Sequence, residues 1–273
     1  MVARNKTLNI FLGHAFFLVA VTVNTVAAAD TFSMDHRVVV TNQAMGARCA
    51  VAADFDGDGL QDLVSASSND NAVSWFRNEG VTYDEDGMST GVQFSIKKEI
   101  SWSSLGSRIV TVADIDGDGH VDVIGASYYD SSLRWYENDG TGVFTPHLIS
   151  SGVNEGQGVT VADFNNDGAP DIATASSGDN TIAVFKNLGN GTFCEVKQIV
   201  DDEAMGARTV VASDLNGDGW IDLASASKVC FKKLNIFVFW VFENELIFLD
   251  HLAELCDALY LVNYRLHKLG DDV

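Results

Sequence analysis

Four times along this chain an acidic, glycine-containing loop sits between two apolar runs. The copies are VAADFDGDGLQDLVSAS from Val51, VTVADIDGDGHVDVIGAS from Val110, VTVADFNNDGAPDIATAS from Val159 and VVASDLNGDGWIDLASAS from Val210. Their first aspartates, Asp54, Asp114, Asp163 and Asp214, are 60, 49 and 51 residues apart. A near-constant period of this size marks an array of supersecondary units, each burying its apolar face on its neighbours. The longer first interval has a local cause: VTYDEDGMSTG, Val81 to Gly91, reads as an extended hairpin tip.

The units stay in step beyond the loop. NAVSWFRNEG, SSLRWYENDGTGVF and NTIAVFKNLGNGTF align at Trp75, Trp135 and Val184, then at Asn78, Asn138 and Asn187. One more strand-like run follows in each, such as FTPHLIS from Phe144. Four short strands joined by Gly/Asn/Asp turns make one blade of a β-propeller. No amphipathic helix separates the strands, which excludes a TIM barrel or a Rossmann fold. The expected fold is all-β: about four propeller blades of four antiparallel strands over residues 35–227, forming an incomplete propeller.

Within each loop, side-chain oxygens fall at positions 1, 3, 5 and 9. They belong to Asp54, Asp56, Asp58 and Asp62; Asp114, Asp116, Asp118 and Asp122; Asp163, Asn165, Asp167 and Asp171; and Asp214, Asn216, Asp218 and Asp222. Position 7 offers a backbone carbonyl, from Leu60, His120, Ala169 or Trp220. Gly59, Gly119, Gly168 and Gly219 at position 6 let the chain turn around an ion. Oxygen-only ligands on a flexible loop suit calcium better than magnesium. A helical calcium hand is excluded, because it needs a Glu at position 12, where this chain has Ser65, Gly125, Thr174 and Ser225. The expected site is a strand-loop-strand calcium site, closed by the ninth-position Asp. The loops hold 14 of the chain's 38 carboxylates, a crowding that favours a bound cation over bare solvated turns.

These residues resemble the FG-GAP/VCBS repeat proteins, which carry the D-x-[DN]-x-D-G-x-x-D loop, a following D-[LIV]-x-x-A-S-like strand and a G-[ND]-G-T-F turn. VADFNNDGAPDIATASSGDNTIAVFKNLGNGTF matches that pattern almost throughout, and the likeness runs from about Asp35 to Ser227. It implies a calcium-stabilised, usually extracellular propeller related to integrin α-chain heads, with the family's metal ligands falling on the loop residues named above. The literal FG-GAP tetrapeptide is missing, so the VCBS-like branch fits better.

The first 29 residues set the compartment. Arg4 and Lys6 precede an apolar stretch from about Leu8 to Val23, and Ala27, Ala28 and Ala29 follow. This is the order of a secretory signal peptide, the alternative being an uncleaved membrane anchor. Cys49, Cys194, Cys230 and Cys256 match no zinc spacing; export permits a disulfide but the sequence does not choose one, and buried thiols fit as well. Asn190 lies in a glycosylation sequon. The net charge of −21 excludes nucleic acid and anionic membrane as partners, leaving an extracellular protein or carbohydrate ligand, and the membrane only through an uncleaved leader.

Residues 228–273 break the pattern. WVFENE at Trp240 echoes WYEND at Trp135 as a degenerate third strand, while Leu252, Leu255, Leu259 and Leu266 approach helical spacing. The segment reads as an atypical hydrophobic tail with helical character, either a cap or a truncation product.

Two functions compete: a secreted, non-catalytic binding or adhesion module, and a fragment of a secreted carbohydrate-active lyase or dehydratase. No H-E-x-x-H, G-x-S-x-G or Walker loop is present. Arg48, Arg108, Gln157 and Arg208 each lie six residues before a first loop Asp. They are expected either to pair with loop carboxylates or to form a cationic ring for an acidic ligand. Trp75, Phe76, Trp135 and Tyr136 are expected to pack between blades, as are the small SAS/GAS/TAS runs.

Overall fold

A computed structural model describes residues 40–101 and 103–228, and the backbone of five further strands: Lys6–Phe11, Leu18–Val23, Phe239–Phe242, Glu245–Phe248 and Ala258–Val262. There is no helix among the described residues. Three sheets have four antiparallel strands, each in simple up-and-down order. Blade one comprises Ala47–Ala53, Asp62–Ser67, Ala72–Phe76 and Lys98–Ser101. Blade two comprises Ser107–Ala113, Asp122–Ser127, Leu133–Asn138 and Phe144–Ser150. Blade three comprises Gly156–Ala162, Asp171–Ser176, Thr181–Phe185 and Gln198–Asp201. Blade four has two strands of the same kind, Ala207–Ser213 and Asp222–Ser227. The hairpin expected from the long first interval is present: Asn78–Tyr83 pairs with Ser89–Phe94 outside the blade.

The tail departs from its sequence reading. The third strand of blade four is Ala258–Val262, with Leu223 opposite Val262 and Ser227 opposite Ala258. The segment at Trp240 instead forms its own hairpin, Phe239–Phe242 with Glu245–Phe248. A strand therefore runs through the stretch whose leucines approach helical spacing. The apolar residues of ALYLV suit a strand completing a sheet edge, and such an edge overrides a weak local helical pattern. The leader boundary near residue 29, Cys230 and Cys256 lie outside the described residues.

Second strands are buried on both faces, as inner members of a stacked sheet must be. The core lies between blades. Phe55, Val64, Trp75, Val110 and Tyr136 join blades one and two; Ile115, Trp135, Val159, Ile172 and Phe185 join two and three; Phe164, Val184, Val210 and Leu223 join three and four. In blades two and three the second turn glycine of the outer hairpin is part of this joint. A Cβ on Gly142 would lie 2.2 Å from the Trp75 ring of the preceding blade, and one on Gly191 2.2 Å from Trp135. A Cβ on Gly158 would meet the Thr209 backbone of the next blade at 2.8 Å, and one on Gly156 would lie 3.0 Å from the Ala126 Cβ of the GAS run.

The position-2 residue of each loop records whether a next blade covers it. Phe55, Ile115 and Phe164 are each 1% exposed, whereas Leu215 is 37% exposed. Cys49 and Cys194 are free thiols; Cys49 Sγ lies 3.4 Å from the Val110 carbonyl, and burial raises its pKa.

Candidate metal centres

Each acidic loop joins the first and second strands of its blade, all four at the same end. The first aspartate organises the loop. Asp54 accepts from the N–H groups of Asp58 at 3.2 Å and Gly59 at 2.8 Å. Asp114, Asp163 and Asp214 repeat this at 2.8–3.2 Å onto Asp118 and Gly119, Asp167 and Gly168, and Asp218 and Gly219. The fifth-position carboxylate takes the N–H of position 7: Leu60 to Asp58, His120 to Asp118, Ala169 to Asp167, Trp220 to Asp218, all at 2.8–3.0 Å. The glycines at position 6 have φ between 85° and 91°, which a side chain would strain. The loops are thus ordered by their own carboxylates through hydrogen bonds to the loop N–H groups.

Carboxylates come closest in two of them. One oxygen each from Asp54, Asp56 and Asp58 lie within 4.8 Å of one another, as do oxygens of Asp114, Asp116 and Asp122. Such clusters could hold a metal, and their all-oxygen donor chemistry fits a hard cation.

The ninth aspartate has a further task. Asp62, Asp122, Asp171 and Asp222 are buried. Asp122 accepts from the Ile115 N–H at 2.9 Å and the Asn138 N–H at 2.8 Å. Asp62 bonds Phe55 and Asn78 in the same way, and Asp171 bonds Phe164 and Asn187. The asparagine then crosses the blade boundary. Asn138 Nδ2 donates to the Phe55 carbonyl of the preceding loop at 2.9 Å, and Asn187 Nδ2 to the Ile115 carbonyl at 2.8 Å. Loops one and two are therefore fixed from behind by their own aspartate and from the side by the next blade's asparagine. Burial outweighs the two N–H donors and pushes Asp122 and Asp171 up to about 6.

One position beside the loops changes sign from blade to blade. Immediately before the asparagine stand Arg77, Glu137 and Lys186. Arg77 ion-pairs with Asp56 and, at 2.9 Å, with Asp58. Lys186 Nζ lies 3.5 Å from Asp167. Glu137 instead adds negative charge: burial raises the Asp116 pKa, and Asp118, Glu137 and Asp114 add to the rise. Glu137 itself meets His147 Nε2 at 2.7 Å. Loops one and three thus carry a tethered cation that loop two lacks.

The FG-GAP-like repeat model matches residues 54–125, 114–174 and 164–225. No curated protein matches the chain. Among solved structures it is similar to an Agrocybe aegerita lectin that recognises non-reducing terminal N-acetylglucosamine, at 23% identity and TM-score 0.47 over 66% of this chain and 46% of the lectin. It is also similar to the V. cholerae biofilm matrix protein Bap1, at 21% identity and TM-score 0.37 over 66% of this chain and 24% of that one. A third likeness is to a Photorhabdus luminescens Tc holotoxin pore, at 20% identity and TM-score 0.38 over 66% of this chain and 8% of that one. The chain spans less than half the length of each.

Proposed function

This chain belongs to the FG-GAP-like repeat family, and from that premise we propose that it is an exported, non-catalytic binding module whose blades are stiffened by calcium. The observation that carries the reading is the fourfold loop, whose side-chain oxygens at positions 1, 3, 5 and 9 recur in register at one end of every blade. Calcium held there neutralises charge that otherwise repels, and it locks the bend between first and second strands. The ligands are those named from the sequence, with Asp56 and Asp58 shared with Arg77 in loop one. The blade ends are then rigid enough to present a recognition surface for an extracellular protein or carbohydrate. Isothermal titration of the purified chain with calcium is the primary test; absence of any calcium uptake sinks the reading.

The sites are not equal. Loop two has four aspartates, Glu137 beside them and no tethered cation, so it fills first. In loop one calcium must displace Arg77. An exposed ion pair contributes up to about 1 kcal/mol, so Arg77→Gln tightens loop one about fivefold. Titration of single-loop variants checks the order. Unchanged loop-one affinity in Arg77→Gln overturns it.

Export rests on the charged, apolar and small-residue order of residues 1–29. N-terminal sequencing of material from the culture medium then starts near Asp30. Membrane-bound protein that retains Met1 selects the anchor instead.

A further inference from the structure

The end of the blades opposite the acidic loops has its own repeating chemistry. Every first strand opens with a bulge. The register slips between Ala47 and Cys49, between Ser107 and Ile109, between Gly156 and Gly158, and between Ala207 and Thr209. The extra residue in each is Arg48, Arg108, Gln157 or Arg208. A bulge frees one residue from the ladder and re-aims its side chain, and the same device occurs four times here.

These arginines do not pair with the loops. Six residues of extended strand, about 20 Å, separate Arg48 from Asp54. Arg48 Nε donates to Ser68 Oγ at 3.2 Å. Arg108 Nη1 donates to Gln157 Oε1 at 2.9 Å, and its guanidinium lies 4.1 Å from the Tyr128 ring centroid. Among the described residues no carboxylate comes within 4.0 Å of Arg48, Arg108 or Arg208. Three acids at this end are matched by cations, while Asp202 and Glu203 in the turn before Arg208 are exposed. Asp70 pairs with Lys97, Asp130 with Arg134 and Asp179 with Lys197, while Glu155 accepts from Ser177 Oγ at 3.0 Å. Arg108 responds to its surroundings: burial lowers its pKa most, and Arg48 and Arg208 lower it further. In a chain of net charge −21, three guanidiniums left without carboxylates form a local positive field.

An apolar rim adjoins it. The turns that precede the bulges of blades one, two and four expose Met45, Leu105 and Met205, the turn of blade three contains Glu155 instead, and Tyr129 beside Gly106 is 71% exposed. Arginine, methionine and tyrosine are residues enriched in protein-binding patches. Methionines adapt to a partner's side chains, and forked guanidiniums take carboxylates.

We propose that this end of the blades docks an acidic segment of a protein partner, with its carboxylates on Arg48, Arg108 and Arg208 and its apolar side chains on Met45, Leu105, Met205 and Tyr129. This deepens the binding-module reading and rests on it, but it needs no calcium at the opposite end.

The test uses the full chain and a fluorescein-labelled synthetic peptide alternating Glu with Leu and Phe, followed by fluorescence anisotropy. The same peptide with Gln for Glu and an oligogalacturonate serve as comparators. The acidic peptide binds, the Gln peptide binds at least tenfold more weakly, and raising the salt weakens the acidic peptide alone. Arg48→Gln with Arg208→Gln lowers affinity at least tenfold at an unchanged melting temperature, and Met45→Ser with Met205→Ser lowers it several-fold. Equal binding by the arginine variant, or no binding by the parent chain, overturns the proposal. Oligogalacturonate binding tighter than the peptide, with indifference to the methionine changes, overturns it in favour of a saccharide site. Arginine-dependent binding that persists in EGTA supports it even if calcium titration fails, so the two readings fall separately.

Discussion

Removing calcium with EGTA lowers the melting temperature of this chain by roughly 5–10 °C for each site occupied beforehand. A ligand that binds only the folded state at about 100 times its dissociation constant adds about 2.7 kcal/mol. For a domain of this size each kcal/mol moves the midpoint about 2–4 °C. The effect rests on the preformed loops, where Asp54 and its counterparts already bind the loop N–H groups, so a cation gains ligands at little ordering cost. Acidification provides an internal check. Burial raises folded Asp122 and Asp171 to about 6, above the ordinary 3.8 that holds in the unfolded chain. In EGTA their contribution is fully present below about pH 4 and is lost as pH rises through about 6. Calcium should reverse that trend, because it favours the ionised form. Calorimetry at pH 5 and 7.5, with calcium and with EGTA, measures both effects. Equal melting temperatures with and without calcium at pH 7.5 sink the calcium reading.

What could be read from the sequence follows from the range of each interaction. The acidic loops, the four-strand units and the inserted hairpin are local, and each announces itself through spacing and turn residues. The inter-blade role of Trp75 and Trp135 follows from their apolar strand context, and the structure seats them in the inter-blade cores. The asparagines are different. Asn78, Asn138 and Asn187 align plainly, yet Asn138 bonds the Phe55 carbonyl 83 residues away, which no local pattern encodes. Their recurrence after each aromatic strand is the signal that could have flagged them. The arginines illustrate the opposite error. Their fixed distance before each loop suggests pairing with it, but an extended strand turns six residues into a long separation. In blade four the third strand comes from Ala258–Val262 and not from the aromatic run at Trp240, because an open sheet edge accepts any compatible strand.

Asp122→Ala destabilises the chain even when no calcium is present, whereas Asp118→Ala does not. Asp118 is exposed and serves its own loop. Asp122 is buried and is the acceptor for both the Ile115 and Asn138 N–H groups. Alanine orphans two buried donors, at about 1–3 kcal/mol each. Relief from burying a charge offsets part of this, leaving a net loss of about 2–4 kcal/mol, a large share of a typical domain's stability. The damage spreads beyond its own loop, because Asn138 also holds the Phe55 carbonyl of blade one and, through its Oδ1, the N–H groups of Gly140 and Gly142. Gly142 in turn lies against Trp75, so losing the aspartate loosens the joint between blades one and two. Asp122→Asn, which keeps one acceptor and removes the charge, loses less. Urea midpoints in EGTA separate this clamp role from any ligand role. Asp122→Ala and Asp118→Ala with the same midpoint there would mean that the ninth aspartate acts only through the metal. A lower midpoint for Asp122→Ala alone means that the residue closing the loop also fastens one blade to the next.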